Sequence, residues 1–211
     1  MFLNDRVVDT FLYLLTASAP GQPPAIGRPR TEVYNSFFHQ KLFAIPQPLT
    51  LNTYGRGIPR RARGYIFDSD LVFVPILVQK HWFLGVVDFR CKRLRLYDSY
   101  TKRTPSHRFF SSMRSYMTTQ HRLRGLGGEE FDWAGWEDEV MDCPQQLNSC
   151  DCGVFMLAVA AHLYAGAPVT FTQQDVTAGG FRQRIFLDLY YRSMRYALLM
   201  PQAPPGQPGA F

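Results

Sequence analysis

Cysteine is scarce, with four in 211 residues. That is too few, too unevenly placed, for a disulfide framework. Cys150 and Cys152 stand one residue apart and cannot easily bridge each other, and Cys91 and Cys143 are isolated. This usage fits a reducing compartment, so an intracellular protein of the nucleus or cytoplasm is expected. No apolar run approaches the roughly 18 residues of a membrane-spanning helix, so no membrane role is expected. Lysine is also rare: 19 of the 23 basic residues are arginine, against 17 acidic residues, for a net charge of +6. Arginine makes planar, bidentate contacts, which suits an acidic partner surface. The basic residues are dispersed, however. Their densest group, Arg56, Arg60, Arg61 and Arg63, has no interleaved aromatics. Nucleic acid is therefore not expected as the primary ligand. The chain does not lack core material: 46% hydrophobic and 15% aromatic residues are too many for a disordered protein. A chain of this length buries roughly 70% of its unfolded surface without staples.

The length suits one domain over residues 1–200, followed by a disordered Pro/Gly-rich tail at 201–211. Ala17-Ser18-Ala19 mimics a signal-cleavage site, but Asp5 and Asp9 interrupt the apolar run before it and Pro20 follows. The segment is expected to be a helix of the mature domain, capped by Asn4 and running to about Leu15. A proline- and glycine-rich loop follows to Thr31. Phe37, Phe38, Leu42 and Phe43 suggest a short helix, and a second irregular, basic loop spans about Asn52 to Gly64. The run Leu71 to Val78 reads as a buried strand, with a bulge or an edge position at Pro75. Trp82 to Phe89 and Leu94 to Asp98 read as two strands joined by a turn over Arg90 to Arg93. Phe109 to Met117 has helical spacing. Cys152 to Ala165 is apolar almost all round, the pattern of a buried helix, with Asp151 in N-cap position and Gly166 ending it. A last amphipathic helix spans Phe181 to Leu199.

Three residues form a candidate chemical group. His81 and Asp98 flank the predicted hairpin, and their numbers sum to 179. Residues with a constant sum face each other in an antiparallel pair, so the two should sit side by side. A carboxylate there can hold an imidazole in one tautomer and stabilise its cation. Cys152 opens the buried helix, where unpaired amides and the helix dipole favour a thiolate, and a nearby imidazolium favours it further. A thiolate is the nucleophile that acyl transfer needs. Gln146 can supply an amide donor to an oxyanion. Each residue also has a plainer structural reading: a satisfied histidine, an inert buried thiol, and an ordinary cap at Asp151. No second paired-ligand motif accompanies Cys150-Asp151-Cys152, so no metal is expected.

The stretch Pro144-Gln145-Gln146-Leu147-Asn148-Ser149-Cys150-Asp151-Cys152-Gly153-Val154-Phe155 resembles the active-site motif of the SUMO-specific (sentrin-specific) cysteine proteases. His81-Trp82-Phe83-Leu84-Gly85-Val86-Val87-Asp88-Phe89, with Tyr97-Asp98-Ser99, resembles that family's histidine and aspartate block. Phe2-Leu3-Asn4-Asp5, Asn35-Ser36-Phe37-Phe38, Val74-Pro75-Ile76, Gly135-Trp136 and Phe171-Thr172-Gln173-Gln174 match in order. Together these cover roughly residues 2 to 195.

The resemblance implies an α+β papain-like fold, a central mixed sheet flanked by helices, with Cys152 opening the central one. It implies that Cys152 is the nucleophile, His81 the base and then acid, Asp98 its orienter and Gln146 the oxyanion donor. Trp82 would press on the substrate's glycine pair, with Phe2 as the opposite wall where the family usually has Trp. Asp5 would meet a basic residue of the modifier. The implied function is cleavage after the C-terminal Gly-Gly of SUMO or a close ubiquitin-like modifier, by a monomer without metal or organic cofactor. Its partners would be the modifier and its conjugates. Alternatives are a protease for another ubiquitin-like protein, an adenoviral-type endopeptidase, or a modifier-binding module with weak turnover.

Overall fold

The computed structural model describes residues 2–16, 27–44, 66–100, 106–123, 130–178 and 180–199. The expected first helix is present as α1 (Asp5–Thr16), with Val8, Phe11, Leu12 and Leu14 on its buried face. Asn4 Oδ1 accepts a hydrogen bond from the Val7 amide at 3.0 Å, which satisfies one of the orphan donors of the first turn. The other helices are α2 (Ser36–Ala44), α3 (Ser106–Leu123), α4 (Cys152–Ala165), the short α5 (Gln173–Thr177) and α6 (Phe181–Leu199). None is long and apolar enough to cross a membrane, among the described residues.

The strands are β1 (Thr31–Val33), β2 (Leu71–Val78), β3 (His81–Asp88), β4 (Arg93–Tyr97) and β5 (Glu137–Met141). They form one mixed sheet in sequence order. The outer pairs β1–β2 and β4–β5 are parallel, and the inner pairs are antiparallel. Helices cover both faces, which explains why β2 and β3 read as nearly continuous apolar runs. On one face Leu71, Phe73, Trp82, Leu84 and Val86 pack with α1 and the buried half of α4, Cys152 to Ala160. On the other, Val72, Val74, Ile76, Phe83 and Val87 pack with Tyr34, Phe38 and Leu42 and with Phe109, Met113 and Tyr116 of α3.

Several expectations need correction. The β3–β4 register pairs Leu84 with Tyr97 and Asp88 with Arg93. The constant sum is thus 181 and not 179, and the turn occupies residues 89–92. Lys92 takes a left-handed φ of 55° there. Pro75 makes no bulge: β2 and β3 stay in register from Leu71↔Asp88 to Val78↔His81. It is tolerated because β1 covers only Leu71 to Phe73, so the far side of Pro75 is locally an edge. Asp151 precedes α4 but its side chain makes no capping hydrogen bond, whereas Gly166 ends the helix at φ 67° as expected. The short strands β1 and β5 were not foreseen. The basic loop at Arg56 to Arg63 and the tail 201–211 lie outside the described residues.

Candidate active site

β2 and β3 are joined by Gln79 and Lys80, both left-handed at φ 49° and 64°, as a tight hairpin turn requires. That turn places His81 at the first position of β3, on the end of the sheet. Asp98 lies one residue beyond β4. With the true register, Asp98 sits diagonally across from His81 and not directly opposite. A shift of two keeps a side chain on the same face of a strand, so the pair still meets: His81 Nε2 and Asp98 Oδ1 are 2.6 Å apart. The same Oδ1 accepts the Tyr100 amide at 2.8 Å. Asp98 Oδ2 is buried with no hydrogen-bond partner among the described residues. An under-satisfied buried carboxylate favours a cation beside it.

Cys152 opens α4 beneath this pair and is 1% exposed. With Nε2 engaged by Asp98, the other ring nitrogen of His81 is left for the hydrogen bond to the Cys152 side chain. Burial opposes the imidazolium. The hydrogen bonds to Asp98 and Cys152, and the negative charge of both, outweigh it and raise His81 to about 9. Burial likewise pushes the Cys152 thiol up. The hydrogen bond from His81, the Trp82 and Gly153 amides and the imidazolium charge overcome this and hold it below the usual thiol range. Cys143 is the control within the same molecule. Burial pushes its thiol up to about 11, and its Sγ donates to the Asp98 carbonyl at 3.3 Å. Of these two buried thiols only Cys152 has surroundings that favour the thiolate.

A cavity of about 400 Å3 lies in front of the pair, lined by Phe2, His81, Tyr100 and Gln146 among others. Gln146 is held from three sides. Its amide N–H donates to the Ser99 carbonyl at 2.9 Å, and Ser99 Oγ donates to its Oε1 at 2.8 Å. Its Nε2 donates to the Asn148 carbonyl at 2.6 Å, which leaves one N–H of the amide for a ligand.

Phe2 is on the cavity wall and 49% exposed. Trp82 is not on that wall: it is 2% exposed. Its indole N–H donates to the Leu3 carbonyl at 3.0 Å, and a Cβ on Gly153 would lie only 3.1 Å from Leu3 and 3.2 Å from Trp82. Trp82 therefore supports the segment that carries Phe2, and it does not face Phe2 across an open slot as expected. Asp5 begins α1, half-buried, and does not line the cavity.

Sequence reasoning missed the supports of the irregular stretch between Gln146 and Cys152. The Asp151 carboxylate accepts from Asn148 Nδ2 at 2.6 Å, Gln173 Nε2 at 3.0 Å and an Arg182 guanidinium nitrogen at 2.6 Å. Burial pushes this carboxyl up, but those three donors more than compensate and hold it below the usual carboxylate range. The Phe171-Thr172-Gln173-Gln174 match was the one signal that could have pointed to Gln173.

A model described as the Ulp1 protease family, C-terminal catalytic domain, matches residues 1–195. Sentrin-specific protease 2 of Mus musculus is 28% identical over 195 residues, which is 92% of this chain and 30% of that protein. The chain thus spans less than a third of that relative's length. Among solved structures, the SUMO protease Ulp1 with its catalytic cysteine oxidised to a sulfinic acid has the same fold. Its TM-score is 0.69 at 23% identity, covering 92% of this chain and 79% of that one. The Ulp1 protease domain in complex with Smt3, the yeast orthologue of SUMO, gives 0.65 at 24% identity over 93% and 78%. By a match that runs through almost all of its sequence, this chain belongs to the Ulp1 protease family, as that family's C-terminal catalytic domain.

Proposed function

We propose that this chain is a thiol protease domain that cleaves after the C-terminal Gly-Gly of SUMO or a close ubiquitin-like modifier. It would mature precursors and hydrolyse isopeptide bonds to lysine. The observation that carries this reading is the geometry: His81 Nε2 lies 2.6 Å from Asp98 Oδ1, and its ring is in hydrogen bond with the buried Cys152 that opens α4. Membership of a protease family one of whose solved domains is bound to the yeast SUMO orthologue supports the substrate class.

In this reading the Cys152 proton passes to His81, and the thiolate attacks the carbonyl carbon of the terminal glycine. The free N–H of Gln146 stabilises the tetrahedral oxyanion. The imidazolium, its charge stabilised by Asp98, gives its proton to the leaving amine, and a thioester to Cys152 remains. Water, deprotonated by His81, then attacks the thioester, which returns the free thiol and releases the modifier. Phe2 supplies an apolar wall for the glycine pair, with Trp82 beneath it, and Asp5 is available to a basic side chain of the modifier. The four unpaired cysteines suit the reducing nucleus or cytoplasm.

The test is incubation with SUMO ending in a Gly-Gly electrophile, beside a panel of other ubiquitin-like proteins carrying the same group. A covalent adduct with SUMO that Cys152→Ala abolishes is the expected result. Labelling confined to another modifier would reassign the substrate, and no labelling by any would overturn the protease reading.

A further inference from the structure

The stretch between Gln146 and Cys152 connects the proposed oxyanion donor to the proposed nucleophile, and it belongs to no helix or strand. Packing does not hold its start: Leu147, next to Gln146, is 84% exposed. Hydrogen bonds hold it instead: from outside the loop Ser99 holds Gln146 and Arg182 holds Asp151, and Gln173 reaches both Leu147 and Asp151. Gln173 Oε1 accepts the Leu147 amide at 2.8 Å, while Gln173 Nε2 donates to Asp151 Oδ2 at 3.0 Å. Asn148 closes the ring from within. Its Nδ2 donates to the same Asp151 oxygen, and its Oδ1 accepts the Cys150 and Asp151 amides, each at 3.0 Å. Asp151 is thereby spent on the loop, which is why it does not cap α4.

Gln173 is itself fixed. It is the first residue of α5, directly after Thr172, which forms a reciprocal capping box with Asp175. An amide serves both ends of this bridge because it offers a donor and an acceptor on one planar group. A carboxylate would face the Asp151 carboxylate, and an apolar side chain would leave the Leu147 N–H and one Asp151 lone pair without their partner.

We propose that Gln173 is a positioning residue of the reaction: by clamping the Leu147 backbone to Asp151, it sets the place of the Gln146 amide relative to Cys152. This rests on the protease reading above. Gln173 hydrogen-bonds to neither nucleophile nor base, so in this proposal its effect passes through the loop to Gln146, and an effect passed instead through Asp151 to its neighbour Cys152 would show in the alkylation rate. A small displacement of a transition-state donor costs rate and leaves substrate binding intact.

The experiment uses the full chain and a SUMO–reporter fusion ending in Gly-Gly. Gln173→Ala, and Gln173→Met as a near-isosteric second variant, should lower kcat by roughly tenfold to a hundredfold, with KM within about twofold. The rate of Cys152 alkylation by iodoacetamide should not change, since thiolate and fold are intact. In the Gln146→Ala background, adding Gln173→Ala should cost nothing further. Amide hydrogen exchange at Leu147 should speed up in both Gln173 variants. An unchanged kcat, a multiplicative loss in the double variant, or an alkylation rate that falls with kcat would each overturn the proposal. Failure of the protease reading is distinct: the wild type would not cleave the fusion at all. The clamp would then stand or fall on Leu147 exchange, and equal exchange in wild type and variants would overturn it.

Discussion

At the scale of single residues, the proposed chemistry depends on two opposed shifts. Against burial, the His81 imidazole is raised to about 9 by Asp98 and then by Cys152, and the Cys152 thiol is pulled down by His81 with the Trp82 and Gly153 amides. The alkaline limb of kcat/KM should therefore report loss of the His81 proton, near 9. Asp98→Asn removes the carboxylate charge that raises His81, and burial then acts with less opposition. That limb should move to lower pH, and kcat should fall by roughly 10²–10⁴-fold. Profiles of kcat/KM between ~pH 5 and ~pH 10 for both proteins would decide it; a limb that does not move would place its origin outside His81. Cys152, His81 and Asp98 were legible as candidates because each residue type suits its proposed task and stands at the edge of a predicted element, and Gln146 because it precedes Cys152 in the motif that carries the family resemblance. Ser99 and Gln173 were not. They act on Gln146 and Leu147 across separations of 47 and 26 residues, which local sequence does not encode.

At the scale of elements, legibility followed hydrophobic pattern. β2 and the buried α4 stood out because both are apolar on nearly every side. β5 did not, because its Glu137 to Met141 is mostly charged. It is held by charge across strands: Arg93 bridges Glu137 and Glu139, and Arg95 bridges Glu139 and Asp88. Such pairs stabilise a sheet without an apolar period. The β3–β4 register was misread by two residues because nothing in the sequence marks where a four-residue turn begins. How closely α3 docks on the sheet was also hidden. A Cβ on Gly85 in β3 would lie 2.2 Å from the Phe109 ring, so the strand backbone itself carries the helix. Gly85→Ala should destabilise the fold by about 1–3 kcal/mol, as overpacking does. Phe109→Leu in that background should recover part of the loss, because the two effects share one contact. Urea midpoints of the four proteins would test this, and a neutral Gly85→Ala would mean that α3 can move away at little cost.

At the scale of the whole molecule, the proposed catalytic group spans the two layers of the fold. Cys152 belongs to the core on the α4 face, while the ring of His81 stacks with Phe83 of the opposite core at 6.0 Å. The proposed activity therefore needs both cores docked on one sheet, and the charges that tie the sheet's far end become relevant to it. Asp88 closes β3 with a side chain only 2% exposed, paired with Arg90 at 2.9 Å and Arg95 at 3.0 Å. Burial pushes the Asp88 carboxyl up, but the hydrogen bond and charge of Arg90, with Arg95 behind it, hold it below 3.8. A carboxyl whose folded value lies below its unfolded value contributes stability above the unfolded value and loses it as pH falls through the folded one. Asp88→Asn should thus destabilise the protein at neutral pH. Losing one partner of a fully buried pair costs about 3–5 kcal/mol; Arg90 is half exposed, so solvent screening reduces the expectation to about 1–3 kcal/mol. The gap between wild type and variant should then close as pH falls below about 4, where the wild-type carboxyl takes up its proton. Urea unfolding at neutral and acidic pH measures both quantities together. A gap that stays constant with pH would show that Asp88 acts through shape and hydrogen bonding, and that its charge contributes nothing to holding the sheet.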